Sequence, residues 1–257
     1  MDDPSFDPPS DPWAFLRRAT SARVALGRTG DALPTARVLE FTLAHARARD
    51  AVHARLNTEA LCAEIADLSP LVVASRAPDR MIYLQRPDLG RRVAEEACAR
   101  LRHGSYDAVI VLADGLSATA VQWQGADLCR RLQQTPGWRF APPVIARQAR
   151  VALGDEIADL LGAELVVVLI GERPGLSAWD SLGAYITFAP RLGLSQDAER
   201  NCVSNIRPGG LAIAEAVRRI SAIMALAKTL QCTGTRLKED EALARAHVPK
   251  KLIDFSD

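Results

Sequence analysis

Two runs constrain this chain more than anything else in it: YDAVIVLA at 106–113 and ELVVVLIG at 164–171. Each is apolar at consecutive rather than alternate positions, β-branched at its centre, and too short for most helices. Side chains of a strand alternate between its faces, so a run of this kind must be covered on both. That is the condition of a strand inside a parallel sheet with helices on either side. The surrounding sequence supplies the helices. Residues 117–134, 155–162 and 209–231 have helical patterning, while 142–152 and 183–190 hold further strands. Strands alternating with helices predict an α/β fold of three layers with a largely parallel sheet.

The first third reads differently. Residues 1–12, MDDPSFDPPSDP, hold four prolines and four aspartates and too little apolar surface to order themselves. A short helix is expected at Trp13–Thr20, and Gly27, Gly30 and Pro34 then interrupt regular structure. Thr35 to Asn57 carries an approximate helical stripe through Val38, Leu39, Leu43, Val52 and Leu56, and 58–68 continues it. Up to about residue 75 the chain reads as helical, with no convincing strand pair. RMIYLQRP at 80–87 reads as a strand and 88–101 as a helix. The expected organisation is a flexible tail at 1–19, a helical region at 20–75 and an α/β domain at 76–257.

Composition excludes several functions. With 32 basic and 31 acidic residues the formal net charge is +1, which gives no electrostatic reason to expect nucleic acid or an anionic membrane as partner. Five dispersed cysteines form no CxxC pair, so neither a zinc site nor a disulfide framework is supported. Reduced thiols, no signal-peptide pattern and no apolar run of the ~18–20 residues a span needs point to a cytoplasmic protein.

In an open α/β sheet, ligands bind outside the carboxyl ends of the strands. The first such loop, ADGLSATAV at 113–121, resembles a nucleophile elbow around Ser117, but Thr119 stands where the second glycine belongs. Ser117 also reads as a helix cap, with Gly115 supplying the turn. The second loop surrounds Arg150, Val151 and Ala152, and there Val151 reads as core. The third is Gly171-Glu172-Arg173-Pro174-Gly175. Glu172 is either a solvated loop residue or a ligand-orienting carboxylate, with Pro174 and Gly175 fixing the backbone where it emerges. A fourth segment, 197–210, packs Asn201, Cys202, Ser204, Asn205 and Arg207 into a polar, turn-rich stretch. His45 and His53 lie eight apart on one helix, unsuited to joint metal ligation, and dinucleotide and phosphate-loop patterns are absent.

Four stretches carry a family resemblance. HARARDAVH (45–53), VIVLADGLSATAV (109–121), LIGERPGLSAWDSLGAYITFAP (169–190) and ERNCVSNIRP (199–208) resemble, in order, the small subunit of ethanolamine ammonia-lyase. The resemblance runs from about residue 20 to residue 231. It implies a carbon–nitrogen lyase that converts ethanolamine to acetaldehyde and ammonia with adenosylcobalamin, inactive without its large subunit. It implies a Rossmann-like domain preceded by a helical region, covering the cofactor, while the large subunit, a (β/α)8 barrel, holds substrate. The family's cobalamin contacts, carried to matching positions, fall on Val151, Glu172 and Cys202. The D-x-H-x-x-G signature of histidine-ligated cobalamin is missing, so no residue of this chain is expected to ligate cobalt. The family assembles from six large and six small subunits, in some bacteria inside a microcompartment, although the start of this chain carries no obvious amphipathic targeting helix. The competing reading is a stand-alone serine hydrolase using Ser117, with His247 as its one late histidine.

Overall fold

The computed structural model describes residues 13–20 and 22–238. The tail expected over residues 1–12, and His247, lie outside them. The chain divides into two compact units, residues 1–47 and 48–257. The first contains helix α1 (Ala14–Ala19) and most of helix α2 (Thr35–His53). Within it, Arg17 donates to Ala25 O at 2.7 Å, and Leu39, Phe41 and Leu43 on α2 are exposed.

The second unit is α/β. Helix α3 (Thr58–Glu64) opens it, with the Asn57 side chain accepting from Ala60 N. Then come β1 (Leu71–Ala74), α4 (Arg80–Gln85), α5 (Glu95–Cys98), β2 (Tyr106–Ala113), α6 (Ala118–Gln133), β3 (Val144–Arg147) and α7 (Leu153–Leu161). Strands β4 (Ala163–Gly171), β5 (Leu182–Phe188) and β6 (Asn201–Ile206) and helix α8 (Ile213–Leu230) complete it.

The six strands form one sheet in the order β1-β3-β2-β4-β5-β6. The four on the β1 side are mutually parallel, while β5 runs antiparallel to β4 and β6 antiparallel to β5. Alternation along the two diagnostic runs splits the core in two. Ile110, Leu112, Val167 and Leu169 meet α3, α6 and α8 on one face. Val109, Val111, Val166 and Val168 meet α5 and α7 on the other. These are the three layers that the uninterrupted apolar runs predict. The chain steps from β1 to β2 and from β3 to β4 over the second face, and returns from β2 to β3 over the first. Movement in each direction keeps to its own face, as a single crossover hand requires.

Four local expectations need correction. Residues 71–74 form a strand, not a helix end: Leu71–Ala74 is a four-residue apolar run after Pro70, paired with β3. Residues 80–85 are a helix, not a strand, because Asp79 caps it by accepting from Ile82 N at 2.8 Å, a local signal that outweighs the β-forming Ile82 and Tyr83. The helix expected over 88–101 is broken into a 3₁₀ turn at Leu89–Arg91 and the four residues of α5, separated by a bridge from Val93 to Ser75. The polar stretch after Arg200 is strand β6 at the edge of the sheet, where one face and one edge may be polar without penalty.

Candidate functional site

The β1–β4 strands end together at their carboxyl edge. There the connection after β2 leaves over one face and that after β3 over the other, the point where an open sheet forms a crevice. Asp114, the first residue past β2, occupies it. Its carboxylate is buried and accepts from Gln148 N at 2.8 Å and Ala149 N at 3.0 Å, tying the loop after β3 to the end of β2. Burial pushes its pKa up, opposed by these two N–H groups and by Arg80. Arg80 sits 3.7 Å from Asp114 and donates to Gly115 O at 2.8 Å and to Val52 O at 2.7 Å.

The next strand end is equally tight. Leu116 N donates to Gly171 O at 2.9 Å, and a Cβ on Gly171 would stand 2.0 Å from Ser117 O. Gly115 has φ +53° and approaches Gly171 O so closely that a Cβ there would stand 2.3 Å from it. Both positions therefore require glycine, one for space and the other for space and conformation.

Beyond these glycines lies a cleft of about 460 Å³, lined among others by Val151, Ile170, Glu172, Arg173 and Tyr185. Val151 follows the Asp114-anchored loop, is half-buried, and packs on the second-face core. Glu172 lies two residues beyond Ile170 of that same core. Its N–H donates to Ser181 O at 2.9 Å; its Oε2 accepts from Ser181 Oγ at 2.5 Å and from Asn205 N at 3.2 Å. Oε1 lies over Gly183, where a Cβ would come within 2.9 Å. The carboxylate is thus held from β5 and β6. Among the described residues its hydrogen bonds come from Ser181 and Asn205, while Gly175 closes a turn with Ala178.

Cys202 enters through strand register. It pairs with Tyr185, while its neighbour Val203 belongs to the first-face core, so Cys202 shares the second face with Tyr185. It is exposed. Burial, then Cys202 and Glu172 among its neighbours, push the Tyr185 phenol above its ordinary pKa. Val151, Glu172 and Cys202 therefore sit around one residue, Tyr185, on one face of the sheet. Helix α8 covers the opposite face at β5 and β6, whereas α5 and α7 cover the second face mainly at β1–β4. At β5 and β6 on the second face, Thr187 is buried beneath Arg200 and Asp155, whereas Tyr185 is half-buried and Cys202 is exposed among the described residues.

Ser117 is placed otherwise. Its hydroxyl accepts from Ala120 N at 3.3 Å and donates to Trp179 O at 2.8 Å, and the residue is fully buried. As an acceptor the hydroxyl caps α6 and as a donor it ties the cap to Trp179, so it is not a solvent-facing nucleophile. Ser117→Ala should cost about 1–2 kcal/mol in urea unfolding, with no hydrolytic activity to lose; an esterase activity abolished by this change would reverse the assignment.

Residues 10–238 match the family described as ethanolamine ammonia-lyase light chain. The chain belongs to this family. It is 48% identical to the ethanolamine ammonia-lyase small subunit of Pseudomonas syringae pv. tomato over 246 residues, covering 91% of this chain and 85% of that one. The small subunit of Azotobacter vinelandii is 50% identical over 246 residues, 91% of each chain. That of Xanthomonas campestris pv. campestris is 48% identical over 244 residues, 91% of this chain and 89% of its own.

Membership gives this chain a role in a lyase, and the buried, capping Ser117 does not support the hydrolase reading. The candidate site also contains residues that sequence reasoning passed over: Asp114, Arg80, Tyr83 and Arg150. Asp114 had a visible signal, a carboxylate directly after a fully apolar strand. Tyr83 and Arg80 were hidden by the strand reading of 80–87. No described helix is long and apolar enough to cross a membrane.

Proposed function

We propose that this chain is the small subunit of an adenosylcobalamin-dependent ethanolamine ammonia-lyase, that it binds and covers the cofactor through Val151, Glu172 and Cys202, and that a large subunit holds ethanolamine. The observation that carries the reading is the gathering of these three residues, from three separate segments, around the half-buried Tyr185 on one face of the sheet. A corrin is a broad apolar plate fringed with neutral amides. The residues present suit such a group: Val151, Ile170 and Tyr185 offer an apolar wall, and Glu172 Oε1, without a hydrogen bond among the described residues, can accept from an amide N–H. Backbone groups at Val151 and Cys202 supply further rim contacts.

When bound, adenosylcobalamin supplies the radical chemistry by which ethanolamine is deaminated to acetaldehyde and ammonia. This chain's share is binding, orientation and exclusion of water. Glu172 acts as a fixed acceptor, because Ser181 Oγ and Asn205 N hold its other oxygen. The reading also implies a hetero-oligomer of large and small subunits.

The test is co-purification with a large subunit, followed by cobalamin-dependent acetaldehyde release and cofactor titration. Glu172→Ala should weaken cofactor binding by roughly 10-fold or more, the loss of a hydrogen bond to a charged acceptor. Unchanged affinity in that complex would remove Glu172 from the site.

A further inference from the structure

Three described arginines bury a guanidinium nitrogen that has no hydrogen-bond partner: Arg80 Nη2, Arg150 Nε and Arg200 Nε. Two of them have a carboxylate at hand. Arg80 lies 3.7 Å from Asp114, and Arg200 makes two 2.7 Å bonds to Asp155. Arg150 forms no ion pair among the described residues. Its one side-chain hydrogen bond is a long one, Nη2 to Tyr83 O at 3.4 Å.

The side chain is nevertheless held in place. Its guanidinium carbon lies 4.4 Å from the centroid of the fully buried Tyr83 ring, and the Tyr83 hydroxyl donates to Ala149 O at 3.0 Å. Arg150 N donates to Gly90 O at 2.8 Å, and the Arg150 Cγ is so close to Gly90 that a Cβ there would meet it at 3.0 Å. A fixed guanidinium thus borders the cleft that holds Val151 and Glu172, and also a second cleft of about 460 Å³ on the far side of Val151. Arginine cannot shed its charge. A partly buried cation without a counterion is costly, and a rigid fork with free donors matches an oxyanion.

We infer that Arg150 binds an anionic group of the ligand, a phosphodiester, which the nucleotide loop of cobalamin supplies. This rests on the cofactor reading above. It also divides the work of the site: the Glu172 carboxylate repels a phosphodiester but accepts from neutral corrin amides, whereas Arg150 does the reverse.

The experiment uses the complex with the large subunit and measures affinity by visible absorbance of bound corrinoid. Two ligands are compared, adenosylcobalamin and adenosylcobinamide, which has the same corrin amides but neither nucleotide loop nor phosphodiester. Arg150→Met should weaken cobalamin binding roughly 10- to 100-fold, the effect of losing a charged hydrogen bond, and leave cobinamide within about twofold. Glu172→Ala should weaken both alike. Equal weakening of both ligands by Arg150→Met, or no weakening, overturns the inference. Should that variant fail to fold, Arg150→Lys carries the test, with a smaller loss again confined to cobalamin; an equal loss on both ligands overturns it. A wild-type complex that binds neither corrinoid overturns the cofactor reading itself, whereas one that binds both with an unselective Arg150 variant overturns only the role of Arg150.

Discussion

Asp155→Ala should lower stability by about 3–5 kcal/mol, enough to threaten folding in a domain stabilised by roughly 5–15 kcal/mol. The Arg200 and Asp155 side chains are only 2% and 3% exposed. The Arg200 guanidinium is bound by both oxygens of Asp155 at 2.7 Å and donates to Thr187 Oγ1 at 2.9 Å. Removing the carboxylate leaves a buried cation that cannot deprotonate with only the exposed Asp197, 3.5 Å from its Nε, as counterion. The pair as a unit is another matter, since its desolvation nearly cancels its attraction. Asp155→Leu combined with Arg200→Met should therefore be closer to wild type than Asp155→Ala alone. Denaturant midpoints for the single and double variants check this, and a loss below about 1 kcal/mol for Asp155→Ala would contradict it.

The second large effect is expected at Asp114. Asp114→Ala takes the acceptor from the N–H groups of Gln148 and Ala149 and the nearest carboxylate from Arg80. Each buried donor left unmade costs about 1–3 kcal/mol, so a total of about 2–4 kcal/mol is expected. Asp114→Asn, which keeps one acceptor oxygen, should cost less. The loop these bonds hold leads into Val151, so corrinoid affinity should fall with stability in Asp114→Ala. Wild-type affinity in a variant that has lost the stability would show that Val151 is placed by other contacts.

The interior of the sheet was readable because its physics is local. Val109–Leu112 and Leu165–Ile170 are apolar at every position, and no arrangement but a doubly covered strand satisfies that. Two of the failures came where a tertiary partner decides. Leu71–Ala74 is a strand because β3 lies beside it, and Asn201–Ile206 because β5 does. Neither pairing leaves a periodic trace in segments so short and, in β6, so polar. The site divides the same way. Glu172 stood out as a carboxylate at a strand end, while its anchors Ser181 and Asn205 lie nine and 33 residues away. Val151 looked like core and is in part core. The cofactor contact proposed for it rests on family resemblance rather than on pattern, and its position depends on the loop that Asp114, 37 residues earlier, holds. Arg150 gave no signal, because an arginine without a counterion among the described residues is recognisable only once those neighbours are known.

The surface around Tyr185 has a consequence for how the protein is made. Tyr83, Gly115, Val151, Glu172, Tyr185 and Cys202 come from six separate stretches, and β6, the last strand to be synthesised, carries both Cys202 and the amide that holds Glu172. A nascent chain emerges in order, and contacts this distant in sequence form late. No fragment ending before residue 205 contains all of these residues. A ligand that needs every one of them, as the cofactor reading requires, would bind only chains that extend through β6.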